Sequence, residues 1–290
     1  MKILLTGATG FVGSKLLNKL ILKYEVSIVV REYEVSLGSI NQIIYDENMK
    51  NNLKDFNPDI VIHLASYLTS LDDSENIVNI VNSNILFSSL LLEGLKETNV
   101  KLFINTGTFA EYLYNDGVLN PAYFYSASKI AIRPIIKYFK NLIGFKTINI
   151  IPYTIYGGKS KNKKVVDYII DSTCSNIPIE MTSGEQVLDF IHINDVIDFY
   201  IYCFENIDLL NDEDDYHLGT GVGTSIKKLS EIIENKLSKK ANISWGNKKY
   251  RDLDIMRAIA PVFKIEKELQ WEAKISIDNG IKLIINGESK

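Results

Sequence analysis

A glycine-rich segment near the N-terminus constrains the fold of this chain more than any other feature. A short apolar stretch at residues 2–6 runs directly into TGATGFVG at residues 6–13, where a helical pattern begins. Glycines at such a strand-to-helix turn allow unusual backbone angles, close approach of a phosphate and close packing of the helix. The first N–H groups of the helix then face an anion. We therefore predict a pyrophosphate-binding turn of a dinucleotide site. The residues expected to contact the cofactor here are Gly7, Gly10, Phe11, Val12 and Gly13.

The first half of the chain alternates between short apolar runs and longer helical patterns. Strands are predicted at residues 2–6, 26–30, 43–45, 59–63, 102–104 and 147–151. Helices are predicted at residues 11–23, 77–96 and 127–141. Strands separated by helices indicate βαβ units and a parallel sheet, and nearly continuous apolar strands fit burial on both faces. The predicted fold class is α/β: a Rossmann-type doubly wound parallel sheet with a smaller C-terminal α/β substrate-binding lobe.

The pattern changes after about Tyr156, where a polar loop is followed by shorter and more irregular elements. Helices are predicted near residues 194–205, 226–236 and 278–285. We predict a dinucleotide-binding core at 1–156, with strands returning to it from about 187–220, and a mainly substrate-binding lobe at 157–290. The loop carries four lysines, which as a solvated run define no site. These lysines are Lys159, Lys161, Lys163 and Lys164.

Composition narrows the functional classes. The 290 residues carry a net charge of -4 with interspersed charges, which does not favour nucleic acid or an anionic membrane as a partner. We expect no membrane span, because no run approaches roughly 20 uninterrupted apolar residues, and the N-terminal apolar run is too short for a signal peptide. Two isolated cysteines, Cys174 and Cys203, suggest neither a disulfide framework nor a metal site. We expect a soluble cytoplasmic protein.

The residue after the second predicted strand bears on the choice of cofactor. NAD sites usually place an acidic residue there to accept hydrogen bonds from the ribose 2′-hydroxyl, whereas this chain has Arg31. A guanidinium suits a 2′-phosphate, which favours NADP(H). A solvated arginine at a strand end is the alternative, and the neighbouring Glu32 keeps it open.

Several motifs together resemble one family. They are the glycine motif at 6–13, His-Leu-Ala at 63–65, a threonine after strand five, and Tyr125 with Lys129 four residues later. With DFIHINDV at 189–196, this set is similar to the extended short-chain dehydrogenases/reductases over nearly the whole chain. That family includes sugar-nucleotide epimerases, dehydratases and 4-keto reductases.

The resemblance implies a catalytic set. Tyr125 is the only one of the 16 tyrosines with a lysine four residues later, a spacing that puts both on one helical face. A ketone that accepts hydride needs a proton donor at oxygen, and an ammonium helps a phenol to fill that role. The family alignment assigns the hydroxyl that fixes the carbonyl oxygen to Thr108, with Thr106 as the competitor.

The resemblance also implies further contacts. The residues assigned to the cofactor are Asp46, Leu64, Ala65, Asn84, Lys129 and Pro152. Those assigned to the substrate are Thr108, Tyr125, Thr154 and Arg251. A buried structural role is favoured for His63. Thr154 replaces the family's usual asparagine, and Leu188 stands where an arginine is usual, which suggests an unusual sugar.

Residues that this chain lacks distinguish among the reactions that members of the family catalyse. Sugar 4,6-dehydratases carry Asp-Glu directly after the catalytic threonine, but here those positions are Phe109 and Ala110, and Glu111 is one residue out of register. Bifunctional epimerase-reductases use a cysteine nearby, and the first cysteine of this chain is Cys174. Both reactions are therefore disfavoured.

Three interpretations stay open. The first is an NADPH-dependent 4-keto reductase of a deoxy or dideoxy nucleotide sugar for surface-polysaccharide (O-antigen) synthesis, most similar to the reductases that make CDP-abequose or CDP-paratose. The second is a 4-epimerase with tightly bound NAD. The third is a non-catalytic dinucleotide sensor. The expected partner is a nucleotide-diphosphate sugar. By resemblance we also expect a C2 homodimer through the helices around residues 84–96 and 127–140.

Overall fold

The structure, a computed structural model, describes residues 1–158 and 163–287. Two of the loop lysines, Lys159 and Lys161, lie outside these residues. The chain divides into two units. Unit 1 comprises Met1–Glu111, Tyr123–Ile151 and Tyr200–Tyr216. Unit 2 comprises Tyr112–Ala122, Pro152–Phe199 and His217–Lys290. The boundary suggested near residue 156 and a substrate-binding role for residues 157–290 stay predictions.

A seven-stranded sheet forms the centre of unit 1. In chain order its first strands and helices are β1 (Lys2–Thr6), α1 (Phe11–Leu20), β2 (Glu25–Val30), β3 (Asn41–Ile44), α2 (Met49–Phe56) and β4 (Ile60–His63). They are followed by α3 (Ser74–Ile80), α4 (Phe87–Gly94), β5 (Leu102–Thr106), α5 (Phe124–Ile143) and β6 (Lys146–Pro152).

The remaining elements are shorter. They are β7 (Thr154–Tyr156), α6 (Val165–Ser172), β8 (Ile179–Met181), β9 (Val187–His192), α7 (Ile193–Glu205) and β10 (Asp214–Leu218). After these come β11 (Gly223–Ser225), α8 (Ile226–Leu237), β12 (Ile243–Trp245), β13 (Arg257–Ala258), α9 (Phe263–Leu269) and α10 (Ile277–Ile285).

The order of the large sheet is β10-β6-β5-β4-β1-β2-β3. The pairs from β3 to β6 are all parallel, with Thr6 opposite His63 and His63 opposite Asn105. The carboxyl ends of β1, β4 and β5 therefore lie side by side, which is where open α/β sheets bind ligands. The predicted Rossmann-type parallel sheet with flanking helices is confirmed. Of the segment expected to return to this sheet, β10 lies in it, whereas β9 pairs with β7, β11 and β13.

The helix predicted at residues 77–96 contains a π-helical turn. It consists of α3, a π-helical stretch at Val81–Leu86 and α4. Such a turn adds a residue to the helix and often marks a functional site, and its buried member here is Asn84. Nothing in the apolar spacing of the sequence signals this irregularity.

One helical stretch of the described residues, Ser74–Glu97, is long and apolar enough to cross a membrane by length and composition. The sequence predicts no membrane span, because no run approaches roughly 20 uninterrupted apolar residues. Core helices of soluble proteins meet the same criterion, and Phe87, Leu91 and Leu92 of this stretch lie in the buried core of unit 1.

Because this core is closely packed, truncating one of its buried side chains should leave a cavity and lower the stability of the protein. Leu53 on α2 is fully buried, and a Cβ added to Gly94 on α4 would lie 2.6 Å from its Cδ1. Leu53→Ala is expected to lower the free energy of unfolding by roughly 2–5 kcal/mol. Chemical denaturation measures this change. The control Leu22→Ala, at an exposed position, should change it by less than about 0.5 kcal/mol, and equal effects would contradict this view of the core.

Candidate active site

The turn after β1 has the geometry that the glycine motif predicts. Gly7 has a φ of 71°, in the left-handed region, and a Cβ there would lie 2.7 Å from the backbone nitrogen of Ala65. A Cβ on Gly13 would lie 2.1 Å from the carbonyl oxygen of Gly7. No side chain caps the start of α1 at Gly10. The main chain of the turn is thus not covered by side chains at the N-terminus of α1, and this geometry fits the pyrophosphate of a dinucleotide.

The segment after β4 packs on this turn. The backbone of Leu64 and Ala65 is the surface that a side chain on Gly7 would strike, and the Ala65 N–H donates to the Thr6 hydroxyl at 3.1 Å. Sequence reasoning placed Leu64 and Ala65 beside the pyrophosphate, and the structure brings both to the glycine turn. Their contact with a cofactor stays a prediction.

The side chain of His63, on β4, connects β1 and α4 through hydrogen bonds. Its Nδ1 is 2.8 Å from the Thr6 hydroxyl, and its Nε2 is 2.8 Å from the hydroxyl of Ser88. Burial, helped by the charge of Lys129, lowers the pKa of His63 to about 3. The ring is therefore neutral at physiological pH and has a structural role.

Asn84 ties the loop after β4 to the helix that carries the predicted catalytic pair. Its Oδ1 accepts from the Tyr67 N–H at 2.8 Å, and its Nδ2 donates to the Ser128 hydroxyl at 2.9 Å and to the Tyr67 carbonyl at 3.3 Å. Ser128 also donates to the carbonyl of Tyr125 at 2.6 Å. These bonds hold Asn84 in place through protein groups, and its predicted contact with the cofactor is untested.

Tyr125 and Lys129 lie one turn apart on α5, and both are buried. The Lys129 Nζ is 6.0 Å from the centroid of the Tyr125 ring. Burial raises the pKa of Tyr125 to about 12; a hydrogen bond with Ser66 opposes this rise, and the charge of Glu111 adds to it. Burial lowers the pKa of Lys129 to about 8, against the charge of Glu111. At neutral pH the phenol is thus protonated, and the amine is mostly an ammonium.

The two candidate threonines after β5 differ in their partners. The Thr106 hydroxyl is 2.7 Å from the hydroxyl of the buried Tyr200. The Thr108 hydroxyl accepts from the Ala110 N–H at 3.3 Å, which leaves its own proton available for another acceptor. This difference favours Thr108, as the sequence did.

Glu111 is fully buried and holds the segment that carries Thr108. Its Oε1 accepts from the Thr108 N–H at 2.8 Å, and its Oε2 pairs with the guanidinium of Arg133. Burial raises the pKa of Glu111, while the charge of Arg133, the Thr108 N–H and Lys129 oppose that rise. Sequence reasoning noted Glu111 only as out of register, and it missed Arg133 and Ser66. The spacing of Tyr125, Lys129 and Arg133 at four residues each was the available signal.

Of the remaining predicted residues, Arg31 and Asp46 belong to unit 1, and Pro152, Thr154 and Arg251 belong to unit 2. Arg31 and Asp46 are exposed, and Asp46 accepts from the Asn48 N–H at 2.8 Å. Pro152 and Thr154 are half-buried in unit 2, and the Thr154 hydroxyl is buried without a hydrogen-bond partner. Arg251 is exposed in unit 2, where its N–H faces Asp254.

Two further features of unit 2 have structural explanations. Asp189, the first residue of the DFIHINDV segment, is buried and accepts hydrogen bonds from the backbone N–H groups of Thr220, Gly221 and Ala260, so it joins β9 to the two segments that carry these residues. In the lysine loop, Lys163 pairs with Asp171, and Lys164 donates to the Ile155 carbonyl.

The site and fold define a dinucleotide-binding α/β enzyme with a Tyr-Lys pair. The profile of the NAD-dependent epimerase/dehydratase family matches residues 3–219, and the chain belongs to this family.

Individual relatives narrow the comparison. The CDP-abequose synthase of Yersinia pseudotuberculosis is 29% identical, covering 91% of this chain and 93% of the relative. A putative UDP-glucose 4-epimerase of Methanocaldococcus jannaschii is 26% identical, covering 98% and 97%. The crystal structure of UDP-glucose 4-epimerase from Thermotoga maritima with UDP-glucose superposes with a TM-score of 0.84, covering 99% and 98% of the chains at 22% identity, which shows the shared fold.

The buried ammonium predicts a pH-dependent stability. The folded protein holds Lys129 with a pKa of about 8, against an ordinary value of 10.5. Below the lower value the buried charge destabilises the fold, and this cost disappears as pH rises towards the higher value. Lys129→Met should therefore raise the free energy of unfolding at pH 7 by roughly 1–3 kcal/mol, with a smaller gain near pH 10.

Denaturant titrations at both pH values measure this difference. The control is Lys137→Met, on the same helix but exposed and paired with Glu213 at the surface; it should give no comparable gain. A Lys129→Met variant that is less stable than the wild type at pH 7 would contradict the buried-ammonium description.

Proposed function

We propose that this protein is an NADPH-dependent reductase of the C4 ketone of a nucleotide-linked 6-deoxy or 3,6-dideoxy hexose. The observation that carries the proposal is the buried Tyr125 and Lys129 pair on α5, in a chain whose relatives include a CDP-abequose synthase. Synthesis of a surface polysaccharide and a cytoplasmic location belong to the same proposal.

The glycine turn supplies the site for the cofactor. Its geometry admits only glycine at positions 7 and 13 and leaves the start of α1 without a side-chain cap, which supports binding of the pyrophosphate there. Bound NADPH supplies the hydride that goes to the carbonyl carbon of the sugar. Lys129 is expected to hold the nicotinamide ribose through its ammonium donors, and Pro152 is expected to touch the nicotinamide.

Tyr125 supplies the proton that balances the hydride. As the carbonyl carbon receives the hydride, its oxygen gains negative charge and takes the phenolic proton, so that the ketone becomes an alcohol. The Lys129 ammonium stabilises the resulting phenolate, which regains a proton from solvent. The Thr108 hydroxyl donates to the same carbonyl oxygen and fixes its direction. A pKa of about 12 keeps Tyr125 protonated for this role at neutral pH.

The environment of Glu111 argues against a dehydratase. A base that moves protons on the sugar needs an oxygen that is open to the substrate, but both Glu111 oxygens accept hydrogen bonds from protein donors. Phe109 and Ala110 cannot exchange protons. Reduction of a carbonyl needs neither.

A 4-epimerase is the second candidate, because a relative matched over 98% of this chain is named a putative UDP-glucose 4-epimerase. An epimerase returns the hydride to the same sugar and consumes no cofactor. The substrate of either enzyme is a nucleotide-diphosphate sugar, for which Thr154 and Arg251 are the expected contacts.

We also propose a C2 homodimer. Large apolar side chains lie exposed on the helical stretch Ser74–Glu97 and on α5, and exposed apolar faces of this kind favour association. They include Val78, Leu86, Leu90 and Leu142.

Tyr125 gives the direct test of the reaction. Purified protein with NADPH is assayed at 340 nm against CDP-, dTDP-, GDP- and UDP-linked 4-keto-6-deoxy sugars, with the product identified by NMR. We expect NADPH consumption equal to alcohol formed, and a loss of roughly 10²–10⁴-fold in Tyr125→Phe. Tyr138→Phe, at an exposed position on the same helix, should keep its rate. Bound NAD with sugar epimerised and no net NADPH consumption would replace the reductase by the epimerase.

Arg31 gives the test of the cofactor. Arg31 is exposed directly after β2, where a guanidinium suits a 2′-phosphate. Arg31→Asp should lower the preference for NADPH over NADH by roughly 10–100-fold, since charged hydrogen bonds are lost and repulsion is added. Binding titrations with both cofactors measure the ratio. Lys19→Asp, an equal charge change at an exposed site on α1, should leave it unchanged; an unaltered ratio in Arg31→Asp would exclude this arginine as the determinant.

A further inference from the structure

We propose that Glu111 is a positioning residue for the reaction, whose buried carboxylate fixes the backbone of Thr108 and places a negative charge beside the helix face that carries Tyr125 and Lys129. This inference rests on the proposed reductase function. It assigns to Glu111 a task different from the proton transfer that acidic residues near this position perform in dehydratases.

The first step of the argument is the ionisation of Glu111. Each of its oxygens faces an N–H donor, one from the backbone of Thr108 and one from the Arg133 guanidinium. A proton on either oxygen would oppose one of these donors, so this arrangement favours the carboxylate. Loss of the guanidinium would leave an uncompensated buried charge, so Glu111 and Arg133 are expected to act as one ion pair.

The second step is the rigidity of this arrangement. Arg133 donates to Asp215 at 2.6 Å, Asn149 donates to Asp215 at 2.8 Å, and Asn105 donates to Asn149 at 2.8 Å. Asn105, Asn149 and Asp215 lie on β5, β6 and β10, and Arg133 on α5 connects this row of strand residues to Glu111. The segment of Thr108 is therefore fixed to three strands through one carboxylate.

The third step is the position of the charge relative to the catalytic pair. Tyr125, Lys129 and Arg133 follow one another at four-residue intervals on α5 and share one face. Glu111 pairs with the last of them. Its charge favours the ammonium of Lys129 and the neutral phenol of Tyr125, because it raises the pKa of each. Both effects keep Lys129 charged and Tyr125 protonated, as the proposed reduction requires.

The test is the titration of Lys129 in Glu111→Gln. The ε-carbon of Lys129 is followed by NMR in ¹³C-lysine protein, with Lys129→Met to assign the signal. The wild-type midpoint is expected at about 8, the lowered pKa of the buried Lys129, and loss of the negative charge should lower it by roughly 1 pH unit. The alkaline limb of the NADPH oxidation rate, measured with whichever sugar the enzyme reduces, should move in the same direction.

Two variants separate charge from structure. Glu111→Asp keeps the charge on a shorter chain, so the Lys129 midpoint should stay near its wild-type value while kcat falls as Thr108 shifts. Asp215→Asn removes the other ionic partner of Arg133, and it should lower stability with less than half of the shift seen in Glu111→Gln.

A Lys129 midpoint that does not move in folded Glu111→Gln would overturn the proposal and leave Glu111 a purely structural residue. If that variant does not fold, Glu111→Met with Arg133→Met removes both members of the pair. Because loss of the Arg133 charge offsets part of the effect, the Lys129 midpoint should fall there by less than in Glu111→Gln, and a midpoint that does not fall would again overturn the proposal. Failure of the wild type to reduce any sugar would overturn the proposed function instead, because the NMR titration needs no substrate.

Discussion

The close approach of the glycine turn to its neighbours is the constraint on which unit 1 depends. Gly13 touches the carbonyl of Gly7, and Gly7 in turn touches the backbone of Ala65. Any side chain at either glycine would push α1 away from β1, or β1 away from the segment after β4. The same contacts that pack the first helix on the sheet also expose the main chain to a phosphate, so packing and cofactor binding rest on one set of atoms.

Unit 1 also buries charged side chains next to the candidate active site. Lys129 loses hydration on burial, and the structure compensates with the Glu111 carboxylate, which also pairs with Arg133. The Glu111 carboxylate thus interacts favourably with two cations on one face of α5, Arg133 and Lys129. Such an arrangement costs stability compared with apolar residues of similar size, and it persists where charge near the reacting atoms is useful. The stability of the core in turn comes from apolar contacts such as those of Leu53 and Phe103.

The parts of the site that the sequence predicted are those fixed by local spacing. The glycine turn lies within eight residues, and Tyr125 and Lys129 lie within one helical turn, so glycine spacing and the resemblance to the family were enough to predict them. Glu111 and Arg133 are 22 residues apart and meet only because α5 packs on the segment after β5. The π-helical turn at Asn84 and the pairing of β9 outside the large sheet likewise depend on tertiary contacts, which local patterns do not contain.

Enzymes of this family share one fold but catalyse different reactions. The reaction is therefore determined by the side chains around the Tyr-Lys pair. Proton transfer on the sugar needs an open acid or base; here the one carboxylate in the segment of Thr108 is closed off by Thr108 and Arg133. Thr106, the other hydroxyl nearby, is held by Tyr200. Among the described residues of α5 and of the segment after β5, a protonated phenol, an ammonium and the Thr108 hydroxyl stay available. This set matches the needs of the hydride addition to a carbonyl that is proposed above.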